Sequence, residues 1–294
     1  GFDDREFLPN AERRWNTPRY FHKQSSLAKT ILAAGGLQPV DLVALCEVEN
    51  DSVMHFLCRR TRLARLGYEY LVTHSADRRG IDVALLYQPE TFALLHSETY
   101  RVPYDSLRER PTRDLLHAAG RLPFGDTLDV FVVHFPSRRG GATISEPYRL
   151  RAAGILRHLA DSIARCRHTP RLLAMGDFND EPHNASVSRV LAPTFAELTS
   201  HATPLPAEGH DDIEGSYYFR GEWSRIDQIL VSPALLSPTM KFHTIPQSVH
   251  LLAFPPLLET LGRGTLSKPF RTYLGPFYHG GISDHLPLCI DFSY

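Results

Sequence analysis

The sequence predicts an α/β (α+β) protein built as a four-layer sandwich, two mixed β-sheets packed face to face with helices on the outer faces. Three observations predict it. Many short apolar runs of strand length are separated by turn signals such as Gln88-Pro89 and Phe124-Gly125-Asp126. Each half of the chain gives strands plus one or two helices, with no repeat, low-complexity tract or linker between the halves. The 294 residues, with 43% hydrophobic content, suffice for one large core, so a single domain over 1–294 is the simplest organisation.

The elements follow in order. A helix is predicted over 21–34, where Leu27, Ile31 and Ala34 recur at helical spacing and Gly35-Gly36 stops it. A continuous apolar strand over 41–46 is followed by a helix over 51–65. Strands come next over 68–72, 82–87, 93–102, 113–119 and 128–133. The strongest helix covers 146–165: Ser145 suits its N-cap, Pro147 its first turn, and Ala152, Ile155, Leu156, Leu159 and Ile163 make its buried stripe. A buried strand over 172–175 runs into Gly176-Asp177, and a short helix follows over 185–191. The last third holds strands over 216–219, 226–231, 241–244 and 286–292. The long Pro/Gly-punctuated stretch over 246–281 is expected to be functional or to carry small helices.

Composition narrows the function. Lys and Arg number 32 against 33 Asp and Glu, which weighs against a dedicated nucleic-acid binder and toward a compact phosphoester or a local basic groove. The cysteines at 46, 58, 166 and 289 form no CxxC pair and read as free thiols rather than a zinc cage. No apolar run approaches the ~18 residues that span a membrane, and no signal peptide stands at the start. Unpatterned cysteines suit the cytoplasm; export after removal of a leader would leave the same sequence. A monomer is expected.

Five polar clusters sit at the ends of apolar runs: Cys46-Glu47-Val48-Glu49-Asn50, His134-Phe135-Pro136-Ser137-Arg138-Arg139, Gly176-Asp177-Phe178-Asn179-Asp180, Arg225-Ile226-Asp227 and Ser283-Asp284-His285. Any one alone is ordinary. Glu47 or Glu49 by itself is a surface carboxylate after a strand, and extended spacing puts the two on one face without choosing between them. Asp177 and Asn179 could form an Asx turn, but the pattern Gly-Asp-x-Asn-Asp is specific enough to favour function over it. Together the five supply carboxylates, an amide, imidazoles and arginines at one edge of a sandwich, the kit for metal-assisted attack of water on a phosphoester. A carboxylate such as Glu47 suits a hard cation like Mg²⁺. His285 suits proton or charge work beside phosphate, with Asp227 as the acceptor that orients it. His134 ends a strand and is followed by Arg138 and Arg139, which suit phosphate oxygens.

The clusters occur in the order of a known family. With Arg79-Gly80-Ile81-Asp82-Val83 and Ser283-Asp284-His285-Leu286-Pro287, they make the chain resemble the endonuclease/exonuclease/phosphatase superfamily, deoxyribonuclease I-like, over nearly its whole length. Phe219-Arg220-Gly221-Glu222-Trp223 and Pro269-Phe270-Arg271-Thr272-Tyr273 resemble a bacterial branch of unassigned substrate. The resemblance implies a Mg²⁺ or Mn²⁺ ion at Glu47, with Asp284 at the metal or just behind it. It implies that Asp177 orients or deprotonates the attacking water, that Asn179 binds the phosphate and that His285, held by Asp227, contacts it. It implies His134 as a stabiliser of the developing charge, with Asp82 orienting it. Arg138, Arg139 and Arg271 are the candidate substrate contacts, beside Arg149, Arg220 and Trp223; the substrate is a phosphoester, nucleic acid included. One departure is expected to matter. The family opens with a strand carrying an Asn near the metal, and this sequence shows no such strand, so a sheet edge is expected to lie open and the metal to lack a ligand.

Two other readings stand beside a metal-dependent phosphoesterase. A catalytically silent relative acting as a binding module is supported by the absent Asn strand. A calcineurin-like metallophosphatase is suggested by the Gly-Asp-x-x-Asp pattern at 176–180, but its Asp-x-His, Gly-Asn-His and His-x-His partners are absent.

Overall fold

The computed structural model describes residues 6–104, 110–206, 209, 212–261 and 266–294. The first helix, α1 (Thr17–Gly35), starts earlier than its apolar stripe suggests, because Asn16 caps it by accepting from Arg19 N and Pro18 fits its first turn. Strand β1 (Leu42–Val48) leads to α2 (Asp51–Arg60), which Asn50 caps. The helix predicted to reach residue 65 stops at Thr61, whose hydroxyl donates back to the Leu57 carbonyl, and only a short 3₁₀ turn continues it. Strands β2 (Glu69–Val72), β3 (Asp82–Tyr87), β4 (Ala93–Tyr100), β5 (Leu115–Arg121) and β6 (Thr127–His134) follow.

Helix α3 (Ala142–Cys166) begins before the expected Ser145 cap. Ser145 lies inside it and donates to the Gly141 carbonyl, while Pro147 is accommodated within the helix. After β7 (Leu172–Asp177) comes one π-type turn over Ser186–Leu191, then β8 (Ala196–Glu197) and β9 (Thr203–Leu205). The hairpin β10 (Tyr217–Phe219) and β11 (Glu222–Ser224) precedes β12 (Asp227–Val231). The stretch 246–281 holds short 3₁₀ turns and the paired strands Leu258–Leu261 with Leu266–Pro269 and Tyr273–Leu274 with Phe277–Tyr278. The predicted final strand is broken into Leu288–Cys289 and Phe292–Ser293.

The main sheet is mixed and six-stranded, in the order β4-β5-β6-β7-β12-β8, with β6 and β7 parallel. Facing it are the antiparallel sheet β1-β3-β2 and a small mixed sheet in the order Leu288–Cys289, His250–Leu252, β9. Period-2 alternation builds four layers. Val83 and Leu85 meet Leu116, Val130, Val132, Leu173 and Ile229 between the sheets. Phe131, Val133, Ala174 and Leu230 point the other way, onto Ala152, Leu156 and Ala160 of α3. Ala84 and Leu86 meet Ala28, Ile31, Met54 and Leu57 of α1 and α2. The second layer is therefore two pieces rather than one continuous sheet among the described residues. There β1 pairs with β3 alone, and its Leu42–Cys46 stretch is only half-buried where all of β3 is buried. All four cysteines are free.

Candidate active site

The site begins with a row across three neighbouring strands. His134 ends β6, Asp177 ends β7 and Asp227 starts β12; His134 and Asp177 are register partners, and so are Asp227 and Asp177. Laterally paired residues share a face, so pairing alone brings an imidazole and two carboxylates together. The ladder continues past the strand ends, with Phe135 N donating to the Asp177 carbonyl and Phe178 N to the Ile226 carbonyl. Gly176 is needed for this approach. Its φ is 138°, and a Cβ there would lie 2.0 Å from the Val133 carbonyl oxygen.

Asp177 is clamped at both oxygens. Asn179 N donates to Oδ1 at 2.7 Å and Asn179 Nδ2 to Oδ2 at 2.9 Å, while His134 Nε2 lies 3.3 Å from Oδ2. Asn179 is buried in the left-handed region, at φ 50°, which asparagine tolerates, and its Nδ2 also donates to the Phe135 carbonyl. Its amide hydrogens are thus committed to Asp177 and Phe135, and the residue expected to bind phosphate holds the carboxylate in place here. Burial pushes the Asp177 carboxyl up to about 7; Asp227 adds to the rise and His285 opposes it.

The fourth member arrives from the C-terminal loop. Residues 217 and 285 form an isolated antiparallel bridge, and Leu286 N donates to the Ser216 carbonyl at 2.7 Å. His285 Nδ1 is then 2.7 Å from Asp227 Oδ2, which also accepts from the Ser216 hydroxyl. Burial opposes a charge on His285, but Asp227, with Asp177 and Asp284 behind it, outweighs this and raises the ring to about 10. His134 goes the other way. Burial, with the nearby Arg113, Arg79 and His285 charges, holds it well below the usual histidine range, so it is neutral. Two imidazoles in one site therefore differ in charge.

Other expected residues fall elsewhere. Asp82 does not reach His134: its Oδ1 accepts from the Thr73 hydroxyl at 2.8 Å and Ser75 N at 2.7 Å, so it holds the 73–75 loop, and His134 Nδ1 is buried without a partner. Arg138, expected at the substrate, has partners within the protein. It donates to the Asn179 carbonyl and Asn184 Oδ1 and faces Asp180 and Glu181, which makes it a clamp on the loop after β7. Arg139 is exposed. Arg149 is buried against Asp180 at 2.7 Å, and Arg271 donates to the Tyr218 carbonyl.

Glu47 sits at a β-bulge in β1 with φ 59°, exposed, and Asp284 is exposed beside His285. Between the elements that carry them lies Lys23 of α1, donating to Thr272 Oγ1 at 3.1 Å and to the Ile282 carbonyl. Burial lowers its pKa, and the carboxylates of Asp284 and Glu47 act against that. No group of three or more metal-ligating side chains forms among the described residues. Two exposed hard-oxygen carboxylates still fit Mg²⁺, which is commonly held by one or two carboxylates, waters and substrate phosphate.

Sequence reasoning did not single out Lys23, Arg113, Ser216 or Tyr217. Arg113 is the legible one, since a buried arginine opening an apolar strand needs partners; it finds Asp77 and the Phe135 carbonyl beneath the site.

An α/β sandwich with acids and imidazoles gathered at one sheet end defines the deoxyribonuclease I-like class. The chain belongs to the Endonuclease/Exonuclease/phosphatase family, whose model matches residues 2–293. Nothing among curated proteins matches it. Solved structures share the fold at low identity. A mannosyl-6-phosphatase of Bacteroides thetaiotaomicron is 14% identical with TM-score 0.62, covering 94% of this chain and 92% of that one. The human Nocturnin catalytic domain with bound sulfate is 19% identical with TM-score 0.59, covering 93% and 86%. D. rerio TDP2 complexed with single strand DNA product is 16% identical with TM-score 0.60, covering 95% and 94%. This fold leaves no place for the calcineurin-like alternative.

Proposed function

We propose that the protein is a divalent-metal-dependent phosphoester hydrolase in which water attacks phosphorus in line. The single observation that carries this is the register-paired row His134–Asp177–Asp227 with His285 bonded to its end. Its proton affinities are divided as hydrolysis needs. Asp177, near neutrality and held in a fixed orientation by Asn179, accepts the proton of water. His285, cationic through Asp227, faces negative charge on the phosphoryl oxygens and donates a proton or hydrogen bond to it. Neutral His134 adds an N–H donor without charge and shields Asp177 from solvent.

Members of this family generally use a divalent metal. Glu47 and Asp284 would hold it, and Mg²⁺ or Mn²⁺ would supply Lewis-acid polarisation of the phosphate. Family relatives include a phosphatase and a protein solved with a DNA product, which supports a phosphoester in general. The test is turnover of bis(p-nitrophenyl) phosphate, phosphomonoesters, plasmid DNA and RNA with Mg²⁺ and Mn²⁺. Asp177→Ala and His285→Ala are expected to lose it while remaining folded; unchanged turnover in either sinks the reading.

A metal-free binding module is the second reading, favoured by Lys23, whose buried amine is bonded to Thr272 and the Ile282 carbonyl and feels the carboxylates of Asp284 and Glu47. Calorimetric titration separates the two: no Mg²⁺ or Mn²⁺ binding at about millimolar concentration selects the module.

A further inference from the structure

The turn after β7 is held from outside the site by a buried ion pair. Arg149 of α3 and Asp180 are each 2% exposed, and Arg149 Nε lies 2.7 Å from Asp180 Oδ1. The rest of the guanidinium is tied to the start of its own helix: Nη1 donates to Ser145 Oγ at 2.7 Å and Nη2 to the Ala142 carbonyl at 2.9 Å. Asp180 is also fixed elsewhere. Its Oδ2 accepts from the Ser186 hydroxyl at 2.7 Å, and its carbonyl accepts from Gln228 Nε2 at 2.9 Å. Gln228 follows Asp227 in the chain and also donates to the Arg225 carbonyl. One run of contacts thus joins the start of α3, the loop after β7 and the start of β12. Only Phe178 and Asn179 lie between Asp177, fixed in its ladder, and the pinned Asp180. Phe178 is fully buried against Phe135. Asn179 is left to bridge two fixed points, at φ 50°.

We propose that Arg149 and Asp180 are positioning residues for the reaction: the pair sets residue 180 so that Asn179 meets both oxygens of Asp177, although neither partner touches the reacting atoms. The proposal rests on the phosphoester reading of the site. Stability alone does not explain the pair. Taking two charges out of water offsets much of their attraction, and apolar residues of similar volume would hold α3 to the loop as well. An apolar contact lacks direction, however. An ion pair with fixed hydrogen-bonding partners specifies one position for the turn, and a carboxylate that orients an attacking water tolerates little displacement. The loop also acts on the charge of Asp177. Burial and Asp227 raise its carboxyl; His285, the Asn179 N–H and Arg113 lower it. His134 at 3.3 Å and the buried Cys46 complete the titratable and charged groups around it. When Asn179 drifts, its N–H bond is lost and Asp177 titrates at higher pH.

The experiment uses Arg149→Met, Asp180→Asn and the double variant, which strands no charge and is expected to fold even where a single one does not. Two quantities are read. The first is the pH dependence of turnover of bis(p-nitrophenyl) phosphate in Mn²⁺. There kcat is expected to fall at least about tenfold and KM to stay within about twofold. The acid limb of kcat/KM is expected to move up from about 7 by about one pH unit, the scale of one hydrogen bond to a charged group. The second is the titration of the Asp177 carboxyl by carbon-13 NMR in aspartate-labelled protein with EDTA, expected to move up equally. The two residues act through one contact, so the double variant is expected to match a single one rather than multiply the losses. Asp129→Ala takes a buried carboxylate from Arg167 near the start of β6. It is expected to lower the urea midpoint and leave the Asp177 titration where it was. The proposal is overturned when the pair variants lose stability while kcat, acid limb and Asp177 titration keep their wild-type values, or when Asp129→Ala moves that titration as far. Absent turnover in the wild-type protein sinks the phosphoester reading alone, because the NMR titration still reports whether the pair positions Asp177.

Discussion

Strand β6 carries a buried histidine–aspartate assembly near each end, and the two are built to opposite purposes. Near its start, Asp129 is fully buried; Oδ1 faces His117 Nε2 and Arg167 Nη2, each at 3.0 Å, and Oδ2 meets Arg167 Nε at 2.9 Å. At its end, His134 meets Asp177, and the next carboxylate in the row is Asp227 rather than an arginine. Burial works against both carboxylates. At Asp129, hydrogen bonds from His117 and Arg167 outweigh it and the pKa falls; at Asp177, burial prevails with Asp227's help and the pKa rises. A buried His–Asp contact is thus no sign of chemistry by itself. What separates the two is whether the carboxylate is closed off by an arginine and an imidazole or stands next to a second carboxylate.

The strongest way to break this comparison is to remove one member of each assembly. Asp177→Ala and His285→Ala are expected to reduce kcat by on the order of 10³-fold or more, while Asp129→Ala leaves kcat within about twofold. Initial rates on bis(p-nitrophenyl) phosphate in Mn²⁺ measure this, and a large rate loss in Asp129→Ala would erase the distinction. Stability is expected to invert the order: Asp129→Ala strands His117 and Arg167 and lowers unfolding free energy by about 2 kcal/mol, read from urea midpoints.

The pH profile sharpens the comparison further. Asp177 must be ionised to take a proton, so kcat/KM rises with pH through about 7. His285 must be charged, so activity falls as pH passes about 10. A profile flat from pH 6 to 8 in wild type would contradict the raised carboxyl assigned to Asp177. The smallest effect is expected at Ser216. Its hydroxyl donates to the oxygen of Asp227 that holds His285, and loss of one such bond, about 1 kcal/mol, lowers kcat/KM about fivefold in Ser216→Ala.

The sequence made the site's contents readable and its wiring opaque. Gly176-Asp177-x-Asn179 and Asp284-His285 stand out because a polar pair ends an apolar run, and the four-layer arrangement follows from alternation and helix stripes. That Asp227 sits opposite Asp177 and not one residue away depends on strand register, a long-range property that local composition does not encode. Arg138 shows the same limit. Its position after a strand suggested phosphate, but the carboxylates and carbonyls around it come from residues more than forty positions downstream. The resemblance pairs Asp82 with His134, but here Thr73 and Ser75, seven to nine positions upstream, take its Oδ1. Ser145 failed for a nearer reason: its hydroxyl bonds back to Gly141, inside a helix that had already begun.

The glycine before Asp177 and the paired row beside it also bear on how this protein can change over generations. Apolar neighbours in Leu172–Asp177 can be exchanged for others of similar volume without moving the row. A single inserted or deleted residue in that strand cannot, because it would turn Asp177 toward α3 and bring a side chain onto the Val133 carbonyl where only Gly176 fits. Divergence here should accumulate as substitutions within the strands and as length changes only in the loops between them.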